Sequence, residues 1–302
     1  MIGWPSVGVV MPTRGRPQQL RAAVDSVLAQ DYPGELRVAV VCDGSPTAPD
    51  LAADQRIEVM ANDRTTGLAG ARNTGVLALE TDLIALCDDD DSWLPQKLSA
   101  QVAALREQSG AEMAACGIVV ECNGRSSRRL LGRERVFYDE LLRSRIVTVH
   151  SSTYLLRRDA LLDGIGLFDE SIPHGQNEDW DLALRAARRG PITFVDRPLV
   201  RVCWSDGSYF LNDWETRAEG LLWMLRRHPE IAASRVGAAR VYGQLAFAYA
   251  CLGRRDDAWL WSRRALRRNW HERRIPFALA VGAGLVSGES VLRLLHRHGH
   301  GI

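Results

Sequence analysis

Lysine is almost missing from this chain: Lys97 is the only one among 38 basic residues. A Walker-type phosphate loop and a Schiff-base mechanism both need a lysine in a defined place, so both are set aside. The six cysteines, Cys42, Cys87, Cys116, Cys122, Cys203 and Cys251, include no CxxC pair. Cys42 and Cys87 end apolar runs, and the set reads as reduced, mostly buried thiols of a cytoplasmic protein. The net charge is only +1, so no global field argues for nucleic acid. The opening residues show no charged segment leading into an apolar one, so no signal peptide is expected. The longest apolar stretch near the end, Ile275 to Val286, falls short of the roughly 20 residues a membrane span takes.

What is present begins with alternation. The chain has 302 residues, more than the roughly 100–200 of a usual domain, which favours one large α/β domain with an appendage. Val7 to Met11, Leu36 to Val41, Ile57 to Ala61, Leu83 to Cys87 and Met113 to Val120 read as strands. Between them, Pro17 opens a helix with Leu20, Val24, Val27 and Leu28 on one face, Gly70 to Leu79 reads as another, and a third begins near Pro95. Strands alternating with helices imply a mainly parallel sheet covered on both faces. Gly124 to Arg135, basic and Ser-rich, reads as a mobile loop. Ser152 to Leu156 reads as a strand, Asp179 to Arg189 as a helix, and Ile192 to Val195 and Leu199 to Trp204 as two further strands. From about Asn212 the pattern is helical only, which divides the chain into residues 1–210 and an all-helical region, 211–302.

Four adjacent carboxylates, Asp88 to Asp91, follow the apolar strand Leu83 to Cys87 directly. Ligands bind at the C-terminal edge of open α/β sheets. Mutual repulsion there is relieved by a hard cation such as Mg²⁺ or Mn²⁺, which takes oxygen ligands and shares them with phosphates. In isolation such a run is better read as a solvated acidic turn; its place directly after a buried strand reverses that reading. Pro12-Thr13-Arg14-Gly15-Arg16 follows the first strand, and its backbone amides and arginines suit an anion or a base edge near a helix N-terminus, or it is a plain loop. Asp43 after the second strand suits a nucleobase or ribose hydroxyl, or an Asx turn. Arg72, in the glycine-rich Gly67 to Gly75, offers a charged fork to a diphosphate or pairs with a local Asp. Asn177-Glu178-Asp179-Trp180-Asp181 places three carboxylates at a helix start, where acids are common as caps.

Taken in order, VVMPTRGRPQQLRAAVDSVLAQDYP, VVCDGS, GLAGARNTGVLALETDLIALCDDDDSWLPQKL, GLFDES and NEDWDLALR resemble the inverting glycosyltransferases called family 2, over roughly residues 6 to 205. The resemblance implies the GT-A (Rossmann-like) fold and transfer of a sugar from a nucleotide diphosphate donor to an acceptor hydroxyl. It implies that Thr13, Asp43 and Arg72 line the nucleotide site, beside Pro12, Arg14, Asp88 and Asp89. It implies that Asp88-x-Asp90 holds Mn²⁺ or Mg²⁺ and the diphosphate, with Asp90 the first choice of ligand; a run of four leaves the register open by one residue. The resemblance also implies that Asp179 is the base; Glu178, Trp180 and His174 are candidate acceptor contacts, and His174 is a rival base. Trp204 and Trp214 are further candidates for stacking on sugar. The chain has no QxxRW sequence, which favours single transfer over processive synthesis.

The acceptor class, whether glycan, lipid-linked or small-molecule, is not readable from these motifs. Arg263, Arg264, Arg267, Arg268, Arg273 and Arg274 beside Trp270 suit either a basic solvated face or peripheral contact with the inner face of a membrane. Tyr242, Leu245, Ala246, Tyr249, Gly253, Ala258, Ala265 and Leu266 resemble one tetratricopeptide-type helix pair, which cannot bury its own face alone and is expected to pack on the catalytic domain or a partner. Two other functions compete: a sugar-1-phosphate nucleotidyltransferase, disfavoured by the shortage of lysine, and a non-catalytic scaffold, disfavoured by intact Asp90 and Asp179.

Overall fold

A computed structural model describes residues 3–44, 51–122, 124–204 and 213–297. These fall into two compact units. The first comprises Met1–Leu141, Ile146–Glu170 and Glu178–Ser205; the second comprises Leu142–Arg145, Ser171–Asn177 and Asp206–Ile302. The boundary expected near residue 210 lies outside the described residues.

Ten strands of the described residues form one sheet: β1 Val7–Thr13, β2 Leu36–Cys42, β3 Ile57–Ala61, β4 Leu83–Leu86, β5 Ser92–Trp93, β6 Met113–Cys122, β7 Arg125–Arg129, β8 Arg135–Val136, β9 Leu155–Arg157 and β10 Ile192–Cys203. The main order is β3-β2-β1-β4-β9-β6-β10-β5. Strands β3, β2, β1 and β4 are parallel, as are β6 and β10; short β5, β7, β8 and β9 run antiparallel to their neighbours. The chain runs outward from β1 to β2 and β3, then crosses back to place β4 on the other side of β1. That reversal makes the C-terminal ends of β1 and β4 a switch point, the place where open α/β sheets leave a crevice.

Helices cover both faces. In α1 (Pro17–Leu28), Pro17 pre-sets the first turn, and Leu20, Ala23, Val24 and Val27 are buried at helical spacing. They share a core with Val9, Met11, Val38 and Val40. The alternate residues of the same strands, Val10 and Val41, meet α2 (Leu68–Ala78). A Cβ on Gly75 would lie 2.4 Å from Val10 Cγ1. One role of the glycine-rich segment is therefore close helix-to-sheet contact. Because both faces are covered, β1 and β4 are buried along their whole length and show no alternation.

Three local expectations need correction. Arg125–Arg129 is not a loop but a strand, β7, antiparallel to β6. Every one of its side chains is polar, so no apolar pattern marks it. Ser152 to Leu156 divides into a 3₁₀ turn, Ser151–Thr153, and β9. The two strands expected between residues 192 and 204 are one, β10, with register irregularities around Pro198, where a ladder donor is missing. The thiols are also less uniformly buried than expected: Cys203, at the end of β10, is exposed.

The second unit is helical over residues 214–297, with α-helices that include Trp214–Arg227, Arg235–Cys251, Arg255–Arg268 and Arg274–Gly282. Its core gathers Ala246, Phe247, Ala265, Ile275, Ala278 and Val291. Gly253, at φ +72°, ends Arg235–Cys251 in a left-handed conformation that suits glycine. The tetratricopeptide-like pair thus packs with further helices of its own unit. Trp214 stacks edge-to-face on Phe247, at 5.3 Å between ring centroids.

Candidate active site

The strand β4 delivers the four carboxylates, and each meets a different environment. Asp88 accepts from Arg72 Nη2 at 2.7 Å and from Ser151 Oγ at 2.7 Å, while its N–H donates to Ser152 Oγ. Asp89 accepts from Thr13 Oγ1 at 2.8 Å and from Arg16 at 3.3 Å. Asp90 accepts from Arg16 Nη1 at 2.7 Å. Asp91 is buried, and its Oδ2 lacks a hydrogen-bond partner, lying 3.6 Å from His150 Nδ1. The end of β1, carrying Thr13 and Arg16, therefore meets the end of β4 at the switch point.

Arg72 joins this run to the NEDWD segment. It is 1% exposed and donates to Asp88 at 2.7 Å and to Glu178 at 2.5 Å, with Phe168 stacked on its guanidinium at 5.2 Å. Asn73 holds Phe168 by bonding both its N–H and its carbonyl, each at 2.9 Å, and also donates to Glu170. The GLFDES segment thus serves as the brace against which Arg72 is held.

Burial raises the carboxyl groups of Asp89, Asp90 and Asp91 above their ordinary range, Asp91 most strongly, and neighbouring Asp88 pushes in the same direction. Burial acts on Asp88 too, but Arg72 and His150 outweigh it and hold Asp88 low. Four carboxylates, Asp88, Asp89, Asp90 and Glu178, share two guanidiniums, Arg72 and Arg16, and a fifth, Asp91, lies beside His150. Such an excess suits a divalent cation. Ligand atoms of Asp88, Asp91 and His150 all lie within 4.8 Å of one another, and the unsatisfied Asp91 oxygen is a donor atom in want of a partner. Oxygen and imidazole donors together fit Mn²⁺ better than Mg²⁺, which prefers oxygen alone.

The other expected residues fall as follows. Asp43 is buried, accepting from Asn62 at 2.8 Å and from the Gly67 N–H at 3.1 Å, with Arg14 at 4.0 Å. Ser45 of the same loop lies outside the described residues. Pro12 is buried within β1, and Arg14 is exposed. The helix α3 (Lys97–Glu107) follows the carboxylate run and buries Lys97 against the Trp93 ring, 3.8 Å from its centroid. In α4 (Glu178–Arg189), Glu178 pairs with Arg72 and Asp181 with Arg185, at 2.9 Å. Asp179 is buried and its Oδ1 accepts the Trp180 N–H at 2.7 Å, a contact that also suits a helix start. Trp180 is itself buried, its indole N–H donating to the Leu141 carbonyl. His174 belongs to the second unit, 3.6 Å from Glu219. Sequence reasoning missed Arg16 as the partner of Asp89 and Asp90, and His150 altogether. His150 follows an irregular loop some 60 residues from the carboxylate run, and no periodicity marks it.

The family model for glycosyl transferase family 2 matches residues 8–164, just over half the chain. The chain is 27% identical to UDP-Glc:alpha-D-GlcNAc-diphosphoundecaprenol beta-1,3-glucosyltransferase WfgD of Escherichia coli, over 46% of this chain and 55% of that protein. It is 32% identical to the pre-mycofactocin glycosyltransferase of Mycobacterium tuberculosis, over 70% of this chain and 45% of that one. The chain thus spans about half the length of these curated relatives. Among solved structures it resembles S. aureus TarS 1-349 in complex with UDP-GlcNAc. That match has a TM-score of 0.61 at 16% identity and covers 98% of this chain and 92% of that one. At that identity the likeness speaks for the fold, which is the GT-A arrangement expected from the sequence. The strand order, the carboxylate run at the switch point and the matched residues agree: the chain belongs to glycosyl transferase family 2.

Proposed function

We propose that this protein transfers a sugar from a nucleoside-diphosphate donor to an acceptor hydroxyl in a single step that inverts the anomeric carbon. The observation that carries the reading is the convergence of Asp88 to Asp91, Thr13 and Arg16 at the switch point, joined through Arg72 to the segment holding Asp179. A cation held by Asp88 with Asp90, or with Asp91 and His150, would neutralise charge on the leaving diphosphate. The protein's own part is to position and to take a proton. Arg72, occupied by Asp88 and Glu178, acts as a positioning residue that holds Asp88. Asp179 accepts the acceptor's proton as its oxygen attacks from the side opposite the diphosphate. The names of WfgD and of the TarS complex make UDP-sugars the first donors to test, and a lipid-linked or glycan acceptor the first acceptor class. A lipid-linked acceptor would place the enzyme at the cytoplasmic face of a membrane. No helix among the described residues is long and apolar enough to cross one.

The test is product identity. Release of nucleoside diphosphate from a UDP-sugar supports the proposal, whereas release of pyrophosphate from a nucleoside triphosphate and a sugar phosphate would assign a nucleotidyltransferase. No turnover of any nucleotide sugar would favour a scaffold. Within this account Asp88→Asn abolishes Mn²⁺-dependent turnover; full activity at low Mn²⁺ would remove the metal assignment. Asp90→Asn and Asp91→Asn then decide the register. The one that raises the Mn²⁺ requirement tenfold or more, about 1.4 kcal/mol, is the second carboxylate ligand. His150→Ala should follow Asp91→Asn.

A further inference from the structure

The helix α5 (Arg255–Arg268) of the second unit leaves several large apolar side chains in solvent. Its fully buried face is Ala258, Ser262 and Ala265, with Trp261 packed in part against the unit's core, while Trp259, Leu260 and Leu266 point outward. Trp259 is 62% exposed, and Leu260 and Leu266 are about 40% exposed. Just past its end Trp270 is 72% exposed. An ordinary amphipathic helix hides such residues and leaves small or charged ones outside. Trp259, Arg263, Leu266 and Arg267 line one shallow surface groove of about 430 Å³, so tryptophan, leucine and two arginines share a face. A neighbouring groove of about 300 Å³ shares Arg267 and adds Trp261, Arg264 and Arg268. Leu285, 78% exposed, and Val286 are further exposed apolar residues of the same unit.

The charge on this face selects its occupant. From Asp213 to Leu294 the chain carries fourteen arginines against eight carboxylates, although its overall charge is only +1. A second copy docked by two-fold symmetry would bring Arg263 and Arg267 toward their own images, which like-charge repulsion disfavours. Exposed tryptophan and leucine among arginines, with no acid within the groove-lining set, suits an interface between acyl chains and anionic headgroups. There the indole and leucine side chains enter the boundary layer, and the guanidiniums meet phosphate. We infer that the Trp259–Trp270 face of the second unit is a docking surface for an anionic phospholipid membrane, held peripherally. The inference does not depend on the sugar-transfer reading, because it rests on a different unit and a different chemistry.

Co-flotation of the full chain with phosphatidylglycerol-containing vesicles, against pure phosphatidylcholine vesicles, tests it. The expected result is flotation with the anionic vesicles at low salt and loss at high salt. Arg263→Gln with Arg267→Gln should lower the partition coefficient about fivefold per arginine, roughly twenty-five-fold together. Trp259→Ala with Trp270→Ala should abolish flotation with the anionic vesicles at low salt. All four side chains are exposed, and an unchanged melting temperature confirms that each variant is folded. Absence of flotation at low salt, or flotation indifferent to both double substitutions, overturns the inference. A concentration-dependent dimer that Trp259→Ala with Trp270→Ala dissolves would also overturn it, by assigning the face to a second copy.

Discussion

Arg72→Met lowers the unfolding free energy of the first unit by about 3–5 kcal/mol, the cost of breaking a buried ion pair from one side. Its guanidinium is almost fully buried and bridges Asp88 and Glu178. Methionine fills the volume but leaves two carboxylates facing each other. Arg72→Lys recovers little, because a single ammonium cannot fork to both partners or lie flat on Phe168. Adding Glu178→Gln to Arg72→Met restores part of the loss. The effect depends on pH with a definite sign. Arg72 and His150 hold Asp88 below its unfolded value, against burial. The stability this gives is present in full above the unfolded carboxylate value, about 4, and is lost as pH falls through the folded one. Urea unfolding of wild type and variant should therefore differ most near neutrality and converge in acid. Equal urea midpoints at neutral pH would show that Arg72 does not support the site.

Asp179→Asn should cost on the order of 10²–10⁴ in turnover, as removal of a general base does. Donor affinity should hardly change, since the base serves the acceptor. The segment offers three carboxylates, and the structure separates them: Glu178 is engaged by Arg72 and Asp181 by Arg185. Asp179 accepts the N–H of the next residue, a contact that a helix cap would also make. A capping role predicts another pattern, in which the melting temperature falls and turnover per folded molecule survives. Measuring turnover, donor affinity and melting temperature on one preparation distinguishes them. Surviving turnover would turn the search to Glu178, Asp181 or His174.

The core of the fold was legible because its chemistry is local. The run Leu83 to Cys87 is apolar and short, and four carboxylates after it cannot be a strand, so both the strand and the edge it feeds are readable. The helix from Pro17 shows its buried face by spacing alone. Other elements carry no such signal. The strand β7 is Arg-Ser-Ser-Arg-Arg, stabilised by pairing with β6 and not by an apolar face. The two-residue β5 is too short to show a period. At the site, the residue types were readable but their partners were not. Arg72 could have faced a diphosphate or a local acid, and only the packing of Phe168 and Asn73 fixes it between Asp88 and Glu178. His150 reaches the carboxylates through a turn closed by Thr153, a contact between segments that no linear pattern encodes.

The most direct test of the account is calorimetric titration of UDP into the protein with and without Mn²⁺, repeated on Asp88→Asn. The account predicts binding that strengthens at least tenfold with Mn²⁺, about 1.4 kcal/mol, and a gain that disappears in Asp88→Asn while metal-independent affinity remains. UDP binding indifferent to Mn²⁺, or an Mn²⁺ gain that survives Asp88→Asn, would contradict the assignment of the carboxylate run as the seat of the cation and the diphosphate.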